Sequence, residues 1–224
     1  IGHSVAIALN LVEPMHHIGT VPNLDAMTAI AVIVLSLLAG LVSRLFVYSL
    51  HKTHHIFAMI ENAYVRAIVG AVIIIVLTLL VGNQDYNGVG AHMIERALEG
   101  NVPLYAFLLK ILFTSVTLSS GYKGGEIIPS LIIGAMLGST FGTIFGLPAG
   151  LWAEVGMVAV FCGVTNCPIT SLLIGFELFN FQASSFLLIA VAISYIVSGY
   201  SGLYKAQTII FSKMNSTRIE RNTN

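Results

Sequence analysis

Charge is the scarcest property of this chain. Only 9% of its 224 residues are Asp, Glu, Lys or Arg, while 56% are hydrophobic and the mean hydropathy is +0.90. Soluble domains carry about 25% charged residues, so a water-soluble globule is excluded. Segment 67–84 has no charged residue, and segment 127–204 has only Glu154 and Glu177. Crossing a bilayer takes about 20 mostly apolar residues. We therefore predict an all-α polytopic membrane protein.

Net charge and cysteine are equally scarce. Ten basic residues balance ten acidic ones, so nothing in the charge indicates a nucleic-acid partner. Cys162 and Cys167 lie in an apolar stretch, which favours packing over half of a metal site. His51, His54 and His55 share one side of a predicted helix, and we interpret them as a solvated helix end rather than a metal site. No metal and no cofactor is predicted.

Motifs for hydrolytic chemistry are also missing. Neither G-x-S-x-G nor H-E-x-x-H occurs in the sequence. Ser119 and Ser120 could in principle converge with a histidine, but no spacing in the chain indicates it. An intramembrane hydrolase therefore stays a remote alternative, and we predict that the protein is not an enzyme.

The apolar segments predict helices of uneven length, over 26–52, 63–82, 102–119, 128–146, 151–164, 168–180, 183–199 and 202–213. Several are too short to cross a bilayer, and short apolar helices separated by Gly, Pro and Asn are typical of discontinuous transporter helices. Segment 82–100 is predicted as a surface loop with a short amphipathic helix.

Three regions follow from this pattern. Residues 1–25 are predicted as the end of a preceding helix and a connecting loop, 26–213 as the membrane domain and 214–224 as a frayed polar tail. Because the chain begins at Ile1 in what resembles the end of a helix, we expect further residues before it. Four basic residues near the C-terminus predict a cytoplasmic C-terminus in a multi-pass plasma-membrane protein. They are Lys205, Lys213, Arg218 and Arg221.

The stretch "GYKGGEIIPSLIIGAMLGSTFG" combines glycines, a proline and a long apolar run. Pro129 suits a first helical turn, because its missing N–H would be unpaired there, and it disfavours helical geometry at Ile128. Gly124 and Gly125 allow the backbone to turn sharply before the helix. The sequence therefore predicts that a helix begins at about Pro129.

The backbone at this helix start is a candidate anion site. The N–H groups of Glu126, Ile127 and Ile128 are predicted to be unpaired and to point along the helix axis, where the helix dipole favours an anion. The Glu126 side chain has two interpretations. It is either a carboxylate that is favoured at a helix start or a protonatable relay near the anion.

A second break, "VTNCPITSLLIGFELFNF", has the same composition. Thr165 or Asn166 is predicted to cap a short helix that begins near Pro168. Glu177 is the lone ionisable residue of that helix, which leaves a functional and a structural role open. Glycines also recur every fourth residue and predict a face that a second helix approaches closely. They are Gly134, Gly138, Gly142, Gly146 and Gly150.

Three segments together resemble the second half of a CLC-type anion transporter or channel, namely "SSGYKGGEIIPSLIIGAMLGSTFG", "VTNCPITSLLIGFEL" and "SGYSGLYKAQTI". The resemblance covers about 26–212 and implies the second of two inverted repeats, a homodimer and one anion pathway per subunit. It implies transport of a halide, chloride or fluoride, in exchange for protons, with a passive anion channel as the alternative. It also assigns the amide donors to Glu126, Ile127 and Ile128 and adds the hydroxyl of Tyr204 as a fourth donor.

Departures from the family pattern bear on the ion. Glu126 and Ile127 stand where the common motif has a hydrophobic residue and phenylalanine. The Gly-Gly-Glu-x-x-Pro form resembles the fluoride/proton branch, which usually has Val-Thr in place of Ile127 and Ile128. The family's G-R-E-G-P and G-S-G-I-P segments, both in its first half, have no match here. We expect that half before Ile1 or on a separate chain, in which case this chain would be an assembly subunit.

Overall fold

The computed structural model describes residues 21–179, 181–204, 206–215 and 217–223. This part forms eight helices and one antiparallel two-stranded hairpin. The elements are α1 (Ala26–Ala58), α2 (Ala63–Val81), α3 (His92–Leu98), α4 (Ala106–Ser119), α5 (Ile127–Phe145), α6 (Ala149–Thr165), α7 (Pro168–Phe179), α8 (Ser184–Val197), β1 (Thr208–Phe211) and β2 (Arg218–Asn222).

Seven predicted helices and the short helix of the 82–100 loop are confirmed, most of them within four residues at each end, while α1 runs six residues beyond its predicted end. The helix predicted over 202–213 is wrong, because Thr208–Phe211 pairs with Arg218–Asn222 as a strand. β-Branched and aromatic residues favour a strand here. The predicted frayed tail is wrong for the same reason. The helix end and loop predicted for 1–25 lie mostly outside the described residues. Lys205 also lies outside them.

The core of the fold is the antiparallel pair α5 and α6. A Cβ atom added at Gly134 would lie 2.7 Å from Met157 Cα, and one added at Gly138 would lie 3.0 Å from Ala153 Cα. The missing side chains therefore let the two backbones touch, as the glycine spacing predicts. Gly142 continues this face, but Gly146 ends α5 in the left-handed conformation (φ 65°) and Gly150 belongs to α6. The predicted face of five glycines is therefore a face of three.

The remaining helices surround α6. Its residues from Gly150 to Thr165 are all buried, with α1, α5, α7 and α8 packed around them. Two hydroxyls join helices across this core, since Ser43 Oγ donates to Val160 O at 3.1 Å and Ser194 Oγ donates to Ala159 O at 2.7 Å. Small polar residues of this kind hold membrane helices together.

Among the described residues, three helices are long and apolar enough to cross a membrane by length and composition, namely α1, α2 and α5. Most of α2 is exposed on the surface of the fold, and Gly70 is its one fully buried residue in the described part. Because apolar surface of this extent is stable in lipid but not in water, α2 is predicted to face the hydrocarbon. The packing of the helices thus places α6 at the centre and α2 at the periphery.

Candidate functional site

The first turn of α5 is the centre of the candidate site. Glu126 is its N-cap residue, and Ser130 N donates to Glu126 O at 3.2 Å as the first bond of the helix. No side chain of the described residues caps this helix start. In an uncapped first turn, the free N–H groups point along the helix axis, out of the N-terminal end of the helix. The N–H groups of Glu126, Ile127 and Ile128 have this position, and both isoleucines are partly exposed.

Two details of this turn differ from the prediction. The helix begins at Ile127, so Ile128 is helical rather than extended and Pro129 occupies the third helical position. Proline is tolerated there, because the N–H of the third position also lacks a partner within a helix. Of the glycines before the turn, Gly121 has a left-handed backbone (φ 94°), whereas Gly124 and Gly125 do not. Gly124 serves close packing instead, since an added Cβ would lie 2.8 Å from Leu118 Cδ2.

A cavity of about 180 Å³ lies against this helix start. Its walls are the loop around Tyr86–Val89, one face of α4, the Lys123–Gly125 segment and the first turn of α5 at Ile128 and Pro129. A cavity of this volume holds several water molecules or a partly hydrated ion. The exposed Lys123 adds a positive charge to its rim. The cavity thus lies beside the helix start at which the sequence predicts an anion site.

Lys110 shapes this cavity, and sequence reasoning missed it. Its side chain is fully buried in α4, and Nζ donates to the carbonyl oxygens of Tyr86, Gly88 and Val89 at 3.2, 3.0 and 3.1 Å. An ammonium group has three donors, so every one of them is used. Lys110 thereby holds the cavity wall of 86–89 in place. The signal in the sequence was a single lysine in the apolar run "LLKIL", since ionisable residues at membrane depth are rare and functional.

The second predicted break is where α6 ends and α7 begins. The sequence predicts Asn166 as a cap of α7, and this prediction is wrong. Asn166 instead ends α6 in the left-handed conformation (φ 55°). Asparagine tolerates this geometry better than most residues. Its side-chain Nδ2 donates to Ser201 O at 2.8 Å. Helix α7 then begins at Pro168, as predicted, and Ser171 N donates to Cys167 O at 3.0 Å.

Tyr204 lies in the segment that packs on this end of α6. Leu203 N donates to Val164 O at 3.0 Å, and Thr223 Oγ1 donates to Tyr204 O at 2.5 Å. The tyrosine is 45% exposed and lies in irregular backbone rather than in the helix predicted over 202–213. Its hydroxyl has no hydrogen-bond partner among the described residues, which leaves that donor available.

Helix direction places the predicted residues at one end of the molecule. Because α5 and α6 are antiparallel, the start of α5 lies at the level of Val164, near the end of α6. The segment that contains Tyr204 is bonded at that same level. Only Cys167 separates Asn166 from Pro168, so α7 begins at this level too. No hydrogen bond within the described ranges joins Tyr204 to the first turn of α5, so the structure brings these groups to one end without joining them.

The C-terminal hairpin braces this end of the fold. Lys213 Nζ donates to Tyr195 O at 2.7 Å, to Ser198 Oγ at 3.3 Å and to the side-chain oxygen of Asn166. Gln207 Nε2 donates to Thr165 O at 3.1 Å. The hairpin is therefore attached to the same helix ends that carry the candidate site, and it spans the predicted boundary between residues 213 and 214.

Glu177 and the cysteines contribute nothing to this pocket. Glu177 is exposed on α7, outside the cavity. Cys162 is buried and its thiol lies 3.8 Å from Val191 O, while Cys167 is partly buried.

The histidines of the "HKTHH" segment also lie elsewhere. His51, His54 and His55 line a groove along the last turns of α1 together with Arg44 and Tyr48. Within the described ranges, no group of three His, Cys, Asp or Glu residues is arranged to hold a metal ion.

Comparison with known proteins gives consistent matches. Residues 1–199 match the family model described as voltage gated chloride channel. The chain is 31% identical to a chloride/fluoride channel protein of Pseudomonas syringae pv. tomato, across 95% of this chain and 49% of that relative. It is 27% identical to the H(+)/Cl(-) exchange transporter ClcA of Klebsiella pneumoniae, across 72% of this chain and 37% of the relative.

The fold also matches a solved structure. The crystal structure of a CLC-type fluoride/proton antiporter superposes with a TM-score of 0.83 at 28% identity, across 90% of this chain and 51% of that chain. The chain thus spans about half the length of the Pseudomonas relative and of the solved antiporter chain.

Proposed function

Because this chain belongs to the voltage-gated chloride channel family, we propose that it forms half of a membrane pathway that exchanges a halide, chloride or fluoride, for protons. The family consists of channels and transporters, and the chain is a polytopic membrane protein with the CLC fold. Within that fold, residues 26–213 would be the second inverted repeat. The coverage of about half of the Pseudomonas relative and of the solved antiporter chain supports a half-length unit.

The observation that carries this proposal is the uncapped start of α5 against the 180 Å³ cavity. A halide leaving water loses its hydration shell, and the N–H groups of Glu126, Ile127 and Ile128 would replace part of it. Each N–H carries only a partial charge, so the ion is held without being trapped. The hydroxyl of Tyr204, which lies at the same end of α6, would supply a further donor.

Glu126 would couple the protons. It is the N-cap residue of α5 and therefore belongs to the same turn as the proposed amide donors. Its carboxyl is partly buried and has no hydrogen-bond partner among the described residues. A carboxyl in this position favours an anion nearby when it is neutral and repels the anion when it is charged. Proton binding and halide binding would therefore favour each other at this turn.

A passive anion channel is the second candidate function. The Pseudomonas relative is described as a chloride/fluoride channel protein, whereas ClcA and the solved relative are described as exchangers of protons with chloride or fluoride. The identity of the halide is a separate question. Ile127 and Ile128 offer backbone donors and no hydroxyl, and the hydroxyl of Ser130 already donates to Ile127 O at 2.6 Å.

The protein would act in the plasma membrane as a homodimer, with a cytoplasmic C-terminus. The cluster of Lys213, Arg218 and Arg221 in the C-terminal hairpin supports this orientation through the positive-inside tendency. Partners other than the halide, protons and lipid are not part of the proposal.

Replacement of Glu126 by glutamine tests the coupling role. Glu126→Gln keeps the size of the side chain and removes its ability to bind and release a proton, so in lipid vesicles the halide flux should persist while the linked proton movement falls. The matched control is Glu177→Gln, which changes the exposed carboxyl of α7. Unchanged proton movement in Glu126→Gln would leave this carboxylate with the helix-start role alone.

A further inference from the structure

Glu154 is a buried acid that the proposed anion site does not use. It lies in α6 with none of its surface exposed. Neither side-chain oxygen has a hydrogen-bond partner in the part of the chain that the structure describes. Buried polar groups are nearly always hydrogen-bonded, so a carboxyl with two unsatisfied oxygens needs an explanation.

The helices around Glu154 bring no charge to compensate it. Residues 26–43 of α1 include no Asp, Glu, Lys or Arg, and α5 and α8 have none along their whole length. The titratable groups of this core are Tyr195 on α8 and Cys162 on α6 itself. Cys162 is eight residues further along α6, which is about 12 Å, and Ser194, next to Tyr195, bonds at the level of Ala159.

The other two elements packed on α6 also leave Glu154 unpaired. Glu177 of α7 and Glu95 of α3 are exposed. Arg96 of α3 forms an ion pair with Asp85 at 2.7 Å, and His92 lies 3.5 Å from the same carboxylate. The charges of α3 are therefore directed to the 82–91 loop rather than to α6.

A fully buried carboxylate without a cation or a hydrogen-bond donor among the described residues is extremely unfavourable, whereas the neutral acid tolerates such a site far better. The arrangement in the structure is therefore that of a proton-bound Glu154. If the side chain served packing alone, an apolar residue of similar size would fill the place without a polar group to desolvate. An acid in this position has one property that its apolar substitutes lack, which is the capacity to bind and release a proton.

Glu154 is also placed apart from the candidate anion groups. It lies at the level of Leu137 in the middle of α5, by the same antiparallel pairing that brings Gly138 to Ala153. Eleven residues separate it from Thr165 at the end of α6, which corresponds to about 16 Å along the helix. The acid thus occupies the half of α6 that is remote from Tyr204 and the first turn of α5.

We propose that Glu154 carries protons for this pathway, binding one as a neutral acid in the buried arrangement and releasing it to water when α6 becomes hydrated. One proton is taken up by the carboxylate and the same proton is given up, so no other reactant is required. The proposal rests on the proposed halide/proton exchange and adds a second proton-binding position, deep in the core and separate from Glu126.

The test is Glu154→Gln in the full-length natural protein, reconstituted in lipid vesicles with halide efflux and internal pH recorded together. Glutamine matches glutamic acid in shape and cannot exchange a proton. We expect halide efflux within about twofold of wild type and a proton flux lower by about tenfold or more, since positioned proton-transfer groups contribute at least that factor. Glu177→Gln, the exposed control on α7, should leave both fluxes unchanged.

Equal coupling in Glu154→Gln and wild type would overturn the proposal, and so would a parallel loss of both fluxes, which indicates a structural role. Infrared difference spectra of wild type against Glu154→Gln give a readout that does not need transport. They should show the C=O stretch of a neutral carboxylic acid in wild type alone, and its absence would also overturn the proposal.

The same pair of experiments separates this proposal from the proposed function. If the wild-type protein moves halide without protons, halide/proton exchange itself fails, and the transport role of Glu154 fails with it. If wild type exchanges halide for protons and Glu154→Gln retains that exchange, only the role of Glu154 fails.

Discussion

At the scale of single residues, Lys110 shows how one side chain can organise a pocket that it does not line. Its ammonium group is buried in α4 and bonds three carbonyl oxygens of 86–89, which form a wall of the cavity at the start of α5. These carbonyls lie in irregular backbone and would otherwise lack donors. Its charge also lies close to this cavity. The residue therefore contributes both the shape and the positive potential of the pocket.

Removal of this ammonium group should loosen the cavity wall. Lys110→Met keeps the length of the side chain and deletes all three donors, so we expect a loss of about 2 kcal/mol in the free energy of unfolding. The 82–91 loop should also become more susceptible to limited proteolysis. Both effects can be measured on the purified protein in detergent.

Lys123→Met is the matched control, because this lysine is exposed in the segment before α5 and forms no hydrogen bond within the described ranges. Its free energy of unfolding should stay within about 0.5 kcal/mol of wild type. If Lys110→Met were as stable and as protease-resistant as Lys123→Met, the three hydrogen bonds would not be holding the loop.

At the scale of helices, the contact between α5 and α6 determines where the site lies. Gly134, Gly138 and Gly142 allow the two backbones to meet, and their antiparallel pairing brings the start of α5 to the end of α6. The proposed anion donors of α5 and the segment that contains Tyr204 therefore depend on the same close packing.

A methyl group in this contact should separate the helices. In Gly138→Ala, the new Cβ would overlap the Trp152 carbonyl and lie 3.0 Å from Ala153 Cα, and backbone atoms cannot rotate away. Overpacking of this kind costs about 1–3 kcal/mol or more. Thermal unfolding in detergent should show this loss. Gly125→Ala is the comparison, since an added Cβ there meets open space and its φ is not left-handed. Equal stability of the two variants would contradict the close contact.

The elements that sequence reasoning found are those whose signals are local. Uncharged apolar runs predict α2 and α5. Pro168 predicts the first residue of α7, where the helix does begin. The hairpin and the partners of Lys110 were missed because they depend on distant residues. Lys110 bonds carbonyls that are 21 to 24 positions away, and β1 pairs with a strand beyond the turn that follows it.

The candidate site was predictable to a similar extent. The glycines, Glu126 and Pro129 indicated a helix start within one short stretch, and the structure shows a helix that begins at Ile127. The role of Asn166 could not be derived from its position, because a residue between two helices can end one or begin the next. Its left-handed backbone and its bond to Ser201 O decide that it ends α6.

At the scale of the whole molecule, the chain is a membrane-embedded helical bundle. It covers about half the length of the Pseudomonas relative and of the solved antiporter chain. Helix α6 is central and buried, and the exposed apolar α2 is peripheral. The amide donors and Tyr204 lie toward one end of α6, and Glu154 lies toward the other. This separation fits the proposed exchange, in which Glu154 would bind a proton away from the groups proposed to bind the halide.

The measurement that tests this account most directly is ion flux from lipid vesicles that contain the full-length natural protein. Fluoride, chloride and internal pH are recorded together after a halide gradient is imposed. The account predicts halide efflux accompanied by proton movement in the opposite direction at a fixed ratio. Halide efflux with no change in proton movement would favour the passive channel, and the absence of any halide efflux would contradict the anion site at the start of α5.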